Sequence, residues 1–133
     1  MNVSTRAKVE TGSDVLIGGI IITGFDSHKI IIRALGPTLT QFGVAGALAD
    51  PTLDVRDANG GLIGTNDNWQ TTQFGGMINA DQVTDIQNSS YAPPNPAECA
   101  IIATLPAGNY TGIVRGKNNT TGVALVEAYQ LQN

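Results

Sequence analysis

The chain has 133 residues, a formal net charge of −4 and only 14% charged residues, against about 25% in an average soluble domain. This length fits one domain, 1–133, with a core of its own. The acidic balance argues against nucleic acid as a partner, which needs a basic face, and no apolar run reaches the roughly 18 residues of a membrane-spanning helix.

Val3 to Val9 alternates, with Val3, Thr5, Ala7 and Val9 on one face and Ser4, Arg6 and Lys8 on the other. That is the pattern of an edge strand. It follows no packed element and is flanked by Gly12, so residues 1–11 form a candidate exchangeable strand. Met1-Asn2-Val3-Ser4-Thr5 leads straight into it, without a signal-peptide pattern. From Asp14 to Thr23 the β-branched run Val15-Leu16-Ile17-Gly18-Gly19-Ile20-Ile21-Ile22 predicts a buried strand. Its paired glycines predict a bulge or a close backbone approach. Asp26-Ser27-His28 predicts a turn, and Lys29 to Leu35 a further strand stopped by Gly36-Pro37. Thr38-Leu39-Thr40-Gln41-Phe42 fits one helical turn, followed by a packed loop to Asp50-Pro51.

A hairpin comes next, with alternating runs at about 52–57 and 61–66 flanking Asn59-Gly60. That dipeptide accepts the positive φ angles of a tight turn. Residues 70–98 read as one long irregular loop with a short helix around Asn79 to Gln87. Within it, Tyr91-Ala92-Pro93-Pro94-Asn95-Pro96 must be irregular, because its prolines remove donors and block helix. Connections of this length often carry function or partner contacts. Three strands close the chain, Ala100 to Leu105, Asn109 to Gly116 and Gly122 to Leu131, with turns at Pro106-Ala107-Gly108 and Lys117-Asn118-Asn119-Thr120. About eight strands with a turn signal between most of them predict an all-β fold, an antiparallel β-sandwich of jelly-roll type.

Asp50, Asp54, Asp57, Asn59, Asn66, Asp67 and Asn68 gather oxygens of the kind calcium takes, with Asp57, Asn66 and Asp67 as the candidate ligands. The spacing is not that of an EF-hand, and Asn and Asp serve turns equally well. No other cofactor is expected. Trp69 and Tyr91, with Phe74, bracket the long loop; they form either a sugar-binding platform or an apolar plug over one end of the sandwich. The single histidine, His28, leaves no material for a His-based metal site or a Ser-His-Asp triad elsewhere. The single cysteine, Cys99, excludes an internal disulfide, and within Glu98-Cys99-Ala100-Ile101-Ile102 it reads as a small apolar residue. Nothing in the sequence marks the convergent polar cleft of an enzyme, so no catalytic residue is assigned.

Few charges, many Thr and Asn, and little of the lysine decoration that guards sheet edges point instead to association. The expected role is a non-catalytic extracellular structural or adhesive module, self-assembling into filaments by strand donation through Val3, Thr5, Ala7 and Val9. Its partners would be copies of itself, neighbouring domains or a surface glycan. The alternative is a calcium-dependent or carbohydrate-binding module accessory to a secreted enzyme.

Several strings carry a family resemblance. Asn2-Val3-Ser4-Thr5-Arg6, Val15-Leu16-Ile17-Gly18-Gly19 and Ile32-Arg33-Ala34-Leu35-Gly36-Pro37 are followed by Gly46-Ala47-Leu48-Ala49-Asp50-Pro51-Thr52-Leu53 and Asn66-Asp67-Asn68-Trp69. Leu105-Pro106-Ala107-Gly108-Asn109-Tyr110-Thr111 and Val114-Arg115-Gly116 complete the order. Together they resemble a β-sandwich module repeated in large secreted proteins of Verrucomicrobia-like bacteria. The latter half, about residues 52–130, is also similar to the bacterial pre-peptidase C-terminal domain, a jelly-roll sandwich with an Asn-Asp near one hairpin and an Ala-Gly-x-Tyr turn. The resemblance implies a bacterial protein placed outside the cell or on its surface, and it supplies no catalytic set.

Overall fold

The computed structural model describes residues 2–10 and 15–131. Gly12 and Asp14, and the side chain of Val3, lie outside the described residues. The strands are β1 (Asn2–Val9), β2 (Leu16–Ile22), β3 (His28–Leu35), β4 (Pro51–Arg56), β5 (Leu62–Asn66), β6 (Cys99–Leu105), β7 (Gly108–Gly116) and β8 (Gly122–Gln130). A 3-10 turn spans Pro37–Phe42, and the one α-helix of the described residues, α1, spans Val83–Asn88.

These strands pair as a folded ribbon: β1 with β8, β2 with β7, β3 with β6 and β4 with β5, all antiparallel. Two further pairings, β3 with β8 and β4 with β7, fix the sheet orders as β1-β8-β3-β6 and β2-β7-β4-β5. This is the jelly-roll order that the turn spacing predicts. The interior between the sheets is filled by side chains such as Ile30, Ile32, Leu53, Val55, Ile101, Val114 and Val126. Each large aliphatic group buried there contributes about 1.5–3 kcal/mol.

A second apolar cluster lies on the outer face of the β1-β8-β3-β6 sheet. Ile31, Ala100 and Ile102 meet Trp69 and Ile86 from the long connection, with Val83, Tyr91 and Ala92 packed beside them. Strands β3 and β6 are therefore covered on both faces, which is why Ile30-Ile31-Ile32 and Ala100-Ile101-Ile102 are unbroken apolar runs.

Strand β2 corrects the expectation of a buried strand. It is the edge of the other sheet, its burial alternates residue by residue, and Ile17 and Ile21 are 58% and 64% exposed. Its register with β7 runs unbroken from Leu16 opposite Val114 to Ile22 opposite Gly108, so no bulge forms. The glycine pair marks a close approach instead. A Cβ at Gly18 would lie 2.7 Å from Val126 Cγ1 on the facing sheet.

Two other boundaries move for local reasons. α1 starts at Val83 rather than near Asn79 because Asp81 Oδ1 accepts the Val83 amide at 3.2 Å and is itself held by Thr72 Oγ1 at 2.6 Å. In the β4–β5 hairpin only Gly60 takes a positive φ, 81°, and Asn59 does not. The Gly60 amide donates to the Asp57 carbonyl at 3.0 Å, and the ladder shifts register between Val55 and Arg56. The turn is thus a longer one closed by an αL glycine rather than a two-residue Asn-Gly turn.

Candidate functional site

The candidate calcium ligands do not converge. Asp57 sits at the tip of the β4–β5 hairpin, where its Oδ1 accepts the amides of Asn59 at 2.9 Å and Gly61 at 2.8 Å. Asn66 and Asp67 lie at the opposite end of β5. Asn66 is buried and fully engaged: its amide donates to the carbonyls of Asn68 and Thr71, and its Oδ1 accepts the Ala100 amide at 3.2 Å. It ties the end of β5 to β6 and to the start of the long connection. Among the described residues no group of three or more His, Cys, Asp or Glu side chains is placed to hold a metal ion.

Asp67 belongs to a different constellation. Its Oδ2 pairs with Lys117 Nζ at 2.5 Å, and its backbone carbonyl lies 3.1 Å from the Cys99 thiol. Its Oδ1 and the Oδ1 of Asp50 are both shielded from solvent without a hydrogen-bond donor. Burial first, then the charge of Asp67, pushes the Asp50 carboxyl above its ordinary value, with Lys117 opposing. The same surroundings act on Cys99, which is fully buried. Desolvation and the charges of Asp67, Asp50 and Glu98 push its thiol well up, away from the thiolate form in which a cysteine reacts.

A proton on Asp50, which its surroundings favour, would supply a donor where these carboxylates lack one. The folded protein then binds that proton more readily than the unfolded chain, so Asp50's contribution to stability rises as pH falls through the interval between its raised and ordinary values. Asp50→Asn supplies an amide donor without the charge. It is expected to raise stability at neutral pH by about 0.5 kcal/mol after solvent screening. Urea melts at a series of pH values should show that gain shrinking on acidification; parallel profiles for variant and wild type would count against a raised Asp50 carboxyl.

The candidate ligand-binding aromatics occupy the covered face of the β1-β8-β3-β6 sheet. Trp69 is 7% exposed and packs in the cluster with Ile31, Ile86, Ala100 and Ile102, so it offers no open ring face. Tyr91 is half-buried and stacks on Tyr129, with ring centroids 4.2 Å apart and planes at 10°. Beneath that stack lies a charged pair. Arg33 on β3 and Glu127 on β8 are directly opposed in register, with Arg33 Nε and Nη2 at 2.9 and 2.8 Å from Glu127 Oε1. Tyr129 OH donates to Glu127 Oε2 at 2.5 Å, and Arg33 Nη1 donates to the Tyr91 carbonyl at 3.1 Å. The signal was present in the sequence, since Arg33 and Glu127 are isolated opposite charges in two apolar runs.

The candidate assembly strand pairs with β8 of its own chain over its whole length, from Asn2 opposite Tyr129 to Val9 opposite Gly122. Thr5 is half-buried, Ala7 exposed and Val9 fully buried.

No family model and no curated protein matches the chain in sequence. Among solved structures it is similar to the pre-peptidase C-terminal domain of a collagenase from Bacillus anthracis, over 97% of this chain and 90% of that one, at 11% identity and a TM-score of 0.51. The chain shares that domain's fold. A surface-associated copper-binding protein of Methylomicrobium album BG8 aligns over 98% of this chain and 94% of its own, at 12% identity and a TM-score of 0.48. At 11% identity the likeness to the collagenase domain speaks of fold, and it extends the pre-peptidase resemblance from the latter half to nearly the whole chain.

Proposed function

We propose that this chain is a non-catalytic extracellular β-sandwich module that works by association, as a structural or adhesive unit of a large secreted bacterial protein, with its first strand exchangeable between neighbours. The observation that carries the reading is how lightly β1 is held. Eight residues pair with β8, yet of the side chains described in β1 only Val9 is buried. What binds β1 is therefore mainly its backbone ladder, which the identical strand of a neighbour would restore in full. A strand anchored by several core side chains would leave cavities behind it; among the described side chains of this one, only Val9 would leave such a site. The calcium-dependent or carbohydrate-binding alternative has less support, because Asp57 and Asn66 spend their oxygens on backbone amides and Trp69 is buried.

A cysteine pair tests the exchange. Arg6 and Leu125 are opposite each other in the β1–β8 ladder and neither is buried. In the doubly substituted chain, Arg6→Cys with Leu125→Cys, oxidation at high protein concentration is expected to give ladders of disulfide-linked multimers alongside the internally linked monomer. Internally linked monomer alone, at every concentration, would remove strand exchange.

A further inference from the structure

The two sheets have four edges, β1, β6, β2 and β5, and three of them are guarded. β1 exposes Arg6 and Lys8. The outer rim of β6 is capped by side-chain amides: Gln82 Nε2 donates to the Ile102 carbonyl at 2.6 Å, the Ile102 amide donates to Gln82 Oε1 at 3.1 Å, and the Ala100 amide donates to Asn66 Oδ1 at 3.2 Å. β5 is five residues long, sits beside the register shift of the hairpin, and has its Ile63 carbonyl taken by the Met77 amide at 2.8 Å. Charge, capping and shortness are the means by which proteins blunt sheet edges.

Among the described residues β2 has none of them. It runs seven residues without a charge, a proline or a bulge, and among the described residues no loop backbone hydrogen-bonds to its outer rim. Its outward positions are Ile17, Gly19 and Ile21, and Ile113 of β7, half-buried and directly opposite Ile17, extends the apolar stripe.

The strand is also complementary to itself. Laid antiparallel on a second β2 with Gly19 opposite Gly19, it sets Ile17 against Ile21 on the outer face, and Leu16 against Ile22 and Gly18 against Ile20 on the inner one. Every opposed pair is apolar or glycine, no charge meets its like, and the arrangement is a closed two-fold. Arg6 and Lys8 put two positive charges on the rim that β1 would bring to a like pairing. We propose that β2 is the joint through which two copies of this chain pair edge to edge, merging their β2-β7-β4-β5 sheets into one continuous sheet. This rests on the associative reading above, though not on exchange of β1. Strands of about 23 Å bury less than about 1,200 Å² between them, the class of weak and transient interfaces. The pairing is therefore strengthened where copies are tethered close together.

Gly19 gives the test, because a Cβ there meets nothing within 4 Å and the fold accepts a side chain. In sedimentation equilibrium from about 5 to 500 µM, the range suited to a weak interface, wild type is expected to pass from monomer to dimer. Gly19→Lys sets two lysines against each other on the two-fold axis and is expected to lose this dimer, with a melting temperature near that of wild type. An equimolar mixture of Gly19→Lys and Gly19→Glu chains should dimerise again, as heterodimers. A wild type that remains monomeric throughout, or a Gly19→Lys chain that dimerises like wild type, overturns the proposal. Intermolecular Arg6→Cys/Leu125→Cys cross-links, with wild type and Gly19→Lys associating alike in sedimentation, leave strand exchange standing and remove this joint. A lysine-sensitive dimer without such cross-links does the reverse.

Discussion

Replacing Glu98 by alanine is expected to lower the unfolding free energy by about 3–5 kcal/mol, the cost of leaving several buried donors without their acceptor. Glu98 has no solvent exposure and collects four donors. Its Oε2 accepts the amides of Gly36 at 2.7 Å and Thr38 at 3.0 Å, the two N–H groups that flank Pro37. Its Oε1 accepts the Thr38 hydroxyl at 2.6 Å and the Asn95 amide at 3.1 Å. One carboxylate thereby pins the start of the 3-10 turn, the proline-rich end of the long connection and the entry to β6. Alanine would orphan donors in a place water does not reach, each costing about 1–3 kcal/mol before relaxation. For a domain of this size the melting temperature should fall by about 10–15 °C. Glu98→Gln should cost less, about 1–2 kcal/mol, because the Thr38 hydroxyl can turn to accept while only the Asn95 amide meets a donor. Urea unfolding of the two variants decides it. A Glu98→Ala chain within about 1 kcal/mol of wild type would show that the backbone holds this junction unaided.

Elements held by local chemistry were legible in the sequence. The strand runs and the turn residues between them sufficed for eight strands and a jelly-roll sandwich, because each strand is short and each turn carries its own glycine, proline or asparagine signal. What was not legible depended on where the long connection lies. An apolar run such as Leu16 to Ile22 looks the same whether its outer face is covered or bare. Here the connection crosses the other sheet, so β3 and β6 are covered while Ile17 and Ile21 are exposed. The same crossing buries Trp69, which composition alone left open between a platform and a plug. At the hairpin the dipeptide Asn59-Gly60 was visible, but the side chain that organises the turn is Asp57, two residues upstream of Asn59. The edge cap by Gln82 had no local signal, since it joins residues twenty apart in the chain.

Arg33 offers the second large effect, and one that bears on how the long connection stays in place. Arg33→Ala is expected to cost about 2–4 kcal/mol, a little below a fully buried pair because the two side chains remain 16% and 10% exposed. The loss has three parts. Glu127 would keep only the Tyr129 hydroxyl as a partner, the Tyr91 carbonyl would lose its donor, and the guanidinium 5.4 Å from the Tyr129 ring centroid would be gone. The Tyr91–Tyr129 stack would then be the main tie at this end of the connection, so proteolytic nicking near Ser89–Pro96 should accelerate more than global stability alone accounts for. The double variant Arg33→Met/Glu127→Leu separates charge from packing. Because it removes both charges and keeps their volume, it should recover most of the lost stability. It should not recover protection of the loop, since neither Met nor Leu donates to the Tyr91 carbonyl. Equal nicking rates in the double variant and wild type would mean that aromatic stacking, not the arginine, holds the connection on the sheet.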